Sequence, residues 1–223
     1  MNDLRVPILA LACLPLWTCS IMDAAPTPAF PESLNRGLVA IRQTNQTIFL
    51  SWRSFASDPH DLGFNLYRQS SPDSPVTCLT DSPLTGPNCF VDTTAPRTPT
   101  LQYYVSPANG LIPEQASPKT TVWEDGFLTI PLNLPGNYRP GDASVGDLDG
   151  DGSYELVVML VSQPRDNSFA GPTAEPILDA YALDGSHLWR IHLGRNIREG
   201  EHYTQFMVYD LNADGRAEVA CKT

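Results

Sequence analysis

Apolar residues along this chain fall in short runs broken by Pro, Gly, Asn and Asp, and no long stretch holds the i, i+3, i+4 spacing of a helix. The pattern therefore predicts β-strands, not helices. Between residues 37 and 122 it places strands at 39–42, 47–52, 63–68, 89–92 and 102–107, with a turn at Asp58-Pro59-His60-Asp61 between the second and third. Beyond residue 124 the grammar changes. Residues 126–135 read as a strand-like lead-in, and the first acidic loop leads directly into a strand-like run at 155–161 (Glu-Leu-Val-Val-Met-Leu-Val). Residues 177–185 and 187–194 read as a hairpin turning at Asp184-Gly185-Ser186, and strands follow at 206–210 and 218–221.

Strands at roughly ten-residue spacing with one buried tryptophan, Trp52, resemble a small sandwich of the fibronectin type III class over residues 35–122. The carriers are Leu50-Ser51-Trp52, Phe64-Asn65-Leu66-Tyr67-Arg68 and Tyr103-Tyr104-Val105-Ser106-Pro107. Such modules are spacers or docking platforms, and this one shows no chemistry of its own. The later order of loop, strand, hairpin, strand, loop reads as a repeating blade. The expected fold class is thus all-β: a fibronectin type III-like sandwich, then the first one to two blades of a calcium-binding β-propeller over residues 124–223. Propellers close with about 4–8 blades, so the sequence is expected to be the N-terminal part of a longer protein.

Charge sharpens this division. The formal net charge is −11, and residues 124–223 hold sixteen acids against seven Lys and Arg. No basic stripe balances that field, which argues against a nucleic-acid partner. Residues 6–17 form an apolar run too short to span a bilayer and of signal-peptide length, and Asp23-Ala24-Ala25 offers a cleavage region, so residues 1–25 are expected to export the chain. Cys13 and Cys19 raise lipid attachment, but neither has the sequence context for it. Export would let Cys78 and Cys89 bridge a loop, and Cys221 is expected to be a buried thiol. A secreted monomer is expected.

The candidate chemistry lies in two acidic loops. Asp147-Leu-Asp149-Gly-Asp151-Gly-Ser153-Tyr-Glu155 and Asp210-Leu-Asn212-Ala-Asp214-Gly-Arg216-Ala-Glu218 share one pattern and begin 63 residues apart. A hard cation takes six to eight oxygens, and alternating acids in a tight turn present them. The glycine at position 6 permits the reversal, position 7 (Ser153, Arg216) can give its carbonyl, and the glutamate at position 9 can close the shell. The loops contain no His or Cys, which argues against zinc. An EF-hand needs a glutamate at position 12 and flanking helices. Position 12 is Val158 and Cys221 here, and both exits read as strands.

From Arg36 onward the chain resembles the rhamnogalacturonan lyases of polysaccharide lyase family 11. The resemblance rests on Arg36-Gly-Leu-Val-Ala40, Leu50-Ser-Trp-Arg53, Phe64-Asn-Leu-Tyr-Arg68, Asp142-Ala-Ser-Val-Gly-Asp-Leu-Asp-Gly-Asp-Gly152, Asp179-Ala-Tyr-Ala-Leu-Asp-Gly185, Leu188-Trp-Arg190, and above all Gly194-Arg-Asn-Ile-Arg-Glu-Gly-Glu-His-Tyr-Thr-Gln-Phe-Met-Val-Tyr-Asp210 and Glu218-Val-Ala-Cys-Lys-Thr223. It implies a small β-domain followed by an eight-bladed calcium-binding propeller. It also implies cleavage of the rhamnose–galacturonate backbone of rhamnogalacturonan I, an acidic polysaccharide, by β-elimination. That reaction removes the C5 proton of a uronate, so it needs a base and a cation beside the carboxylate. Arg190, His192, Arg195, Arg198 and His202, with Tyr203 adjacent, form the basic cluster of the acidic half. Arg195, Arg198, His202 and Tyr203 are the candidate substrate contacts, and His202 and Lys222 are weak candidates for the base. A non-catalytic adhesion or carbohydrate-binding propeller with integrin-type repeats is the alternative, although it gives no reason for the segment at 200–205.

Overall fold

The computed structural model describes residues 33–108, 116–163, 170–200 and 204–222. The expected leader at 1–25, with Cys13 and Cys19, lies outside them, as do His202 and Tyr203. All fourteen regular elements among the described residues are strands. None of the described residues forms a helix long and apolar enough to cross a membrane.

The first eight strands are β1 (Val39–Arg42), β2 (Ile48–Ser51), β3 (Gly63–Gln69), β4 (Thr77–Cys78), β5 (Leu84–Thr85), β6 (Cys89–Asp92), β7 (Gln102–Pro107) and β8 (Thr120–Trp123). They pair in the order β4-β3-β7-β8-β1-β2-β6, with β5 also on β3. β8 joins two antiparallel groups, running parallel to β1 and antiparallel to β7. Alternation explains why this strip curls. Ile48 and Leu50 from one group face Phe64, Leu66, Tyr103 and Val105 from the other, and all six are buried in one core. Trp52 lies within it, edge-on to Phe64 at 5.6 Å.

A polar tie crosses the same core. The Asp92 carboxylate of β6 accepts from Tyr103 Oη of β7 at 2.8 Å and from Arg68 Nη1 of β3 at 2.7 Å. Burial works to raise the Asp92 pKa, but hydrogen bonds from Thr94, Tyr103 and Arg68 outweigh it and hold the carboxyl below its ordinary range. The strand order also corrects the expected disulfide. β4 and β6 sit at opposite ends of the strip, and Cys78 and Cys89 are both free and exposed. Cys221 is free and half-buried rather than enclosed, because the two-stranded sheet that carries it is covered on one face.

The second half contains β9 (Arg139–Gly146), β10 (Glu155–Val161), β11 (Ile177–Tyr181), β12 (His187–His192), β13 (Phe206–Tyr209) and β14 (Glu218–Cys221). The first four form an antiparallel sheet in the order β12-β11-β10-β9, and the last two form a hairpin. β10 is covered on both faces, which accounts for its unbroken apolar run. Val157, Met159 and Val161 contribute to the cores shared with Phe206 and Val219 of the hairpin. Val158 and Leu160 pack instead with Leu132 and Tyr138.

Leu132 belongs to the expected lead-in strand, and here expectation and structure part. Residues 127–135 are not a strand. Pro131 and Pro135 cannot donate to a ladder, and the segment lies over the sheet as an extended cover. It is fastened by a buried network. Asp179, fully buried on β11, accepts from Arg190 at 2.7 and 2.6 Å and from Tyr181 Oη at 2.8 Å, while Asn133 donates its N–H to Tyr181 Oη at 3.0 Å.

Candidate functional site

The two acidic loops occupy equivalent places, one between β9 and β10, the other between β13 and β14. Their internal hydrogen bonds match at every position but one, the first acid accepting from position 4 in the first loop and from position 5 in the second. In the first, Asp147 accepts from the N–H of Gly150 at 2.7 Å and of Gly152 at 2.9 Å. In the second, Asp210 accepts from Asp214 at 3.1 Å and Gly215 at 2.9 Å. Position 3 accepts from the N–H of position 5 (Asp149 from Asp151, Asn212 from Asp214), and position 5 accepts from position 7. The closing glutamate accepts from position 2 at 2.8 Å in both loops, Leu148 to Glu155 and Leu211 to Glu218.

Backbone strain repeats as well. Gly152 and Gly215 at position 6 have φ of 88° and 91°. Position 4 is also left-handed in both, with Gly150 at 80° and Ala213 at 60°, and Ala213 is the one non-glycine residue at positive φ among the described residues. An alanine held there shows that the loop geometry overrides local preference.

The turn gathers oxygens. Ligand atoms of Asp147, Asp149 and Asp151 lie within 4.8 Å of one another, as do those of Asp210, Asp214 and Glu218. Glu155 is buried behind the first set. Burial pushes its carboxyl above the ordinary range, and the charges of Asp149, Asp151 and Asp147 add to that against the Leu148 N–H. Asn212 spans the second set, its Nδ2 donating to Glu218 Oε1 at 2.9 Å and Asp214 Oδ2 at 3.1 Å. Such a donor set, all oxygen and crowded with negative charge, suits a hard divalent cation and not a thiolate- or imidazole-seeking metal. Ser153 and Arg216 could add only their carbonyls.

Both loops are also structural junctions. The first holds the N-terminal sheet: Asn35 donates its N–H to the Gly152 carbonyl at 2.7 Å and its Nδ2 to Ser153 Oγ at 3.0 Å. Beside this contact the Arg53 guanidinium lies 4.8 Å from the centre of the Tyr154 ring. On its other side the first loop meets the second, where Ala217 donates its N–H to the Asp147 carbonyl at 2.7 Å.

The basic cluster is less unified than the sequence suggests. Arg190 is committed to Asp179 and to the Asn133 carbonyl at 2.5 Å, and the Asp179 carboxylate raises its pKa. His192 Nδ1 lies 2.9 Å from Glu175 Oε1 on the exposed surface of β12. Arg198 Nη1 donates to the Gly171 carbonyl at 2.8 Å. Arg195 and Lys222 are exposed. Sequence reasoning missed Glu199, a buried carboxylate that accepts from Ser162 N at 2.8 Å, Ser162 Oγ at 2.9 Å and Gln163 N at 3.3 Å. It pins the 193–200 connector to the end of β10. The one sequence signal for it was an acid placed directly after Arg198.

Comparison with known proteins covers nearly the whole described chain. Residues 30–123 match the model of the rhamnogalacturonan I lyases' β-sheet domain, and residues 128–223 match that of the rhamnogalacturonan lyase family 11 C-terminal domain. Rhamnogalacturonan exolyase YesX of Bacillus subtilis (strain 168) is 43% identical over 203 residues, covering 86% of this chain and 32% of that protein. Endolyase YesW of the same strain is 43% identical over 205 residues, covering 86% and 31%. The solved structure of the Bacillus licheniformis rhamnogalacturonan lyase PL11 superposes with a TM-score of 0.76 at 40% identity, over 87% of this chain and 34% of that one. The chain thus spans about a third of the length of the curated relatives it matches. With both domain models in tandem and 43% identity over 203 residues, the chain belongs to rhamnogalacturonan lyase family 11.

Proposed function

We propose that this chain serves in a secreted lyase that cleaves the rhamnose–galacturonate backbone of rhamnogalacturonan I by β-elimination. The observation that carries the proposal is the 43% identity to both an exolyase and an endolyase across 86% of the chain. In this reading the first eight strands are a fibronectin type III-like sandwich. β9–β12 form one blade of a calcium-binding propeller, and β13 and β14 begin the next. The antiparallel four-stranded sheet and the exposure of Met207 (49%) and Tyr209 (62%) on β13 support a further sheet packing there.

β-Elimination on a uronate requires removal of the C5 proton while positive charge stabilises the carboxylate as it gains enolate character. On this chain Arg195 and Arg198, with His202 and Tyr203 on the same connector, are the proposed uronate contacts, and His202 or Lys222 the candidate base. Asp147, Asp149, Asp151 and Glu155, with Asp210, Asn212, Asp214 and Glu218, would hold calcium, which supplies charge neutralisation and a rigid turn. The loops' place as junctions supports a clamping role for it. A chimera tests the proposal: residues 33–222 of this chain replace the matching third of exolyase YesX, and rhamnogalacturonan I is supplied as substrate. A folded chimera is expected to release unsaturated uronate, seen as near-ultraviolet absorbance. A folded chimera without that signal would refute the assignment.

A further inference from the structure

The two acidic loops touch through a single peptide unit. The carbonyl of Arg216, at position 7 of the second loop, belongs to the same amide plane as the Ala217 N–H. That N–H donates to the carbonyl of Asp147, position 1 of the first loop, at 2.7 Å. The side chain of Arg216 crosses the same junction: a Cβ added at Gly150, position 4 of the first loop, would meet Arg216 Cγ and Nε at 3.1 Å. One residue before Asp147, a Cβ at Gly146 would meet Ala217 Cβ and Val208 Cγ1 at 2.6 Å. The turns are thus in contact on three counts: an amide hydrogen bond, a guanidinium chain laid over a glycine, and close packing at their bases.

We propose that the two loops form one coupled two-cation unit, in which filling either loop raises the affinity of the other through the Arg216–Ala217 peptide. The inference rests on the calcium reading above. An amide plane cannot turn its carbonyl toward one ligand set without fixing where its N–H points. A cation drawing on the Arg216 carbonyl therefore fixes the Ala217 N–H on Asp147, and with it the start of the first loop. Ordering done for one site need not be repeated for the other. Electrostatics acts in the opposite sense, because a dication in one loop weakens the pull on the second ion. The first loop carries four carboxylates and the second three beside Arg216, and salt screens this opposing part, so ordering sets the sign.

Calorimetric titration of the full chain with calcium in high salt, where long-range charge effects are screened, tests the proposal. Wild type is expected to take two ions. Asp214→Asn, which disables the second loop, should weaken binding at the first by roughly 5-fold or more, and Asp149→Asn should weaken the second by the same factor, because coupling is reciprocal. Ala217→Pro removes the N–H without touching a carboxylate and should leave two ions binding independently. Should Ala217→Pro fail to fold, the paired aspartate variants still decide the matter. If each aspartate variant retains the wild-type affinity at its intact loop, coupling is overturned while the calcium reading stands. If wild type takes up no calcium, the calcium reading itself falls.

Discussion

Gly146 offers the sharpest test of how the second half is held together. It ends β9, is buried, and has an ordinary negative-side backbone, so alanine fits its φ without strain. The obstacle is space. The new methyl would lie 2.6 Å from both Ala217 Cβ and Val208 Cγ1, where about 4 Å is comfortable. Ala217 Cβ is fixed to its backbone and cannot swing away, so the β13–β14 hairpin must shift. Overpacking of this kind costs about 1–3 kcal/mol, and removing glycine from the unfolded chain returns about 0.4–1. A net loss centred on about 1.3 kcal/mol remains, or roughly 5–10 °C of Tm for a half of about 100 residues. Gly141→Ala on the same strand is the control, since its methyl meets nothing closer than the Met159 carbonyl at 3.3 Å. Thermal melts of both variants would be compared with amide exchange across residues 206–221, which should quicken in Gly146→Ala alone. Adding Ala217→Gly should recover part of the loss. Equal melting of the two glycine variants would show that the hairpin does not rest on Gly146.

Four further outcomes follow from the geometry. Calcium should raise Tm and Asp149→Ala should remove part of that gain; identical melts in calcium and in chelator would refute the clamping role. Arg190→Met leaves buried Asp179 without its close cation, with His187 Nε2 at 3.6 Å as the remaining ion-pair neighbour. It should cost about 2–3 kcal/mol by chemical denaturation, less than the 3–5 of a fully buried pair because Arg190 is 22% exposed; a loss under about 0.5 kcal/mol would count against the network. Asp58 is held below its ordinary pKa chiefly by the hydrogen bond from Arg36, against burial. Its folded value lies below its unfolded one, so its stabilisation is present above about pH 4 and lost as pH falls through the folded pKa; Asp58→Asn should flatten acid denaturation in that window, and an unchanged acid limb would contradict it. Cys78 and Cys89 should both react with a thiol reagent in the native protein, and a native chain with neither thiol titratable would restore the disulfide expectation.

The sequence made the strands with alternating or continuous apolar residues plain. β1, β6, β7, β10 and β14 fall where the pattern predicts, because burial on one or both faces dictates those residues. β9 was invisible: Arg-Pro-Gly-Asp-Ala-Ser-Val-Gly has poor strand propensity and is extended only because β10 pairs with it. The error at 127–135 was the reverse, since Phe127, Leu128 and Leu134 look like strand residues but are exposed on a proline-fixed cover. The acidic loops were legible because their spacing is itself the geometry. Their contact with Asn35, 112 residues before Asp147, and with each other was not, for no local pattern encodes which surfaces meet. Charge alone grouped Arg190 with the basic cluster; its partner Asp179 sits across a strand pair, at a register that only folding sets.

The double covering of β10 also has a consequence in time. One cover, residues 127–138, precedes the strand, but the other, β13 and β14, is made 45–60 residues after Val161. At about 5–20 residues per second, Val157, Met159 and Val161 spend roughly 2–12 s of synthesis with one apolar face bare, in a strand of high β-propensity and low charge. Nascent chains arrested just past residue 163 should therefore recruit chaperones or aggregate more than chains arrested past residue 222. Equal behaviour at both lengths would mean that another surface shelters the strand first. The order of elements along the gene thus decides when the sheet is vulnerable, independently of how stable it becomes.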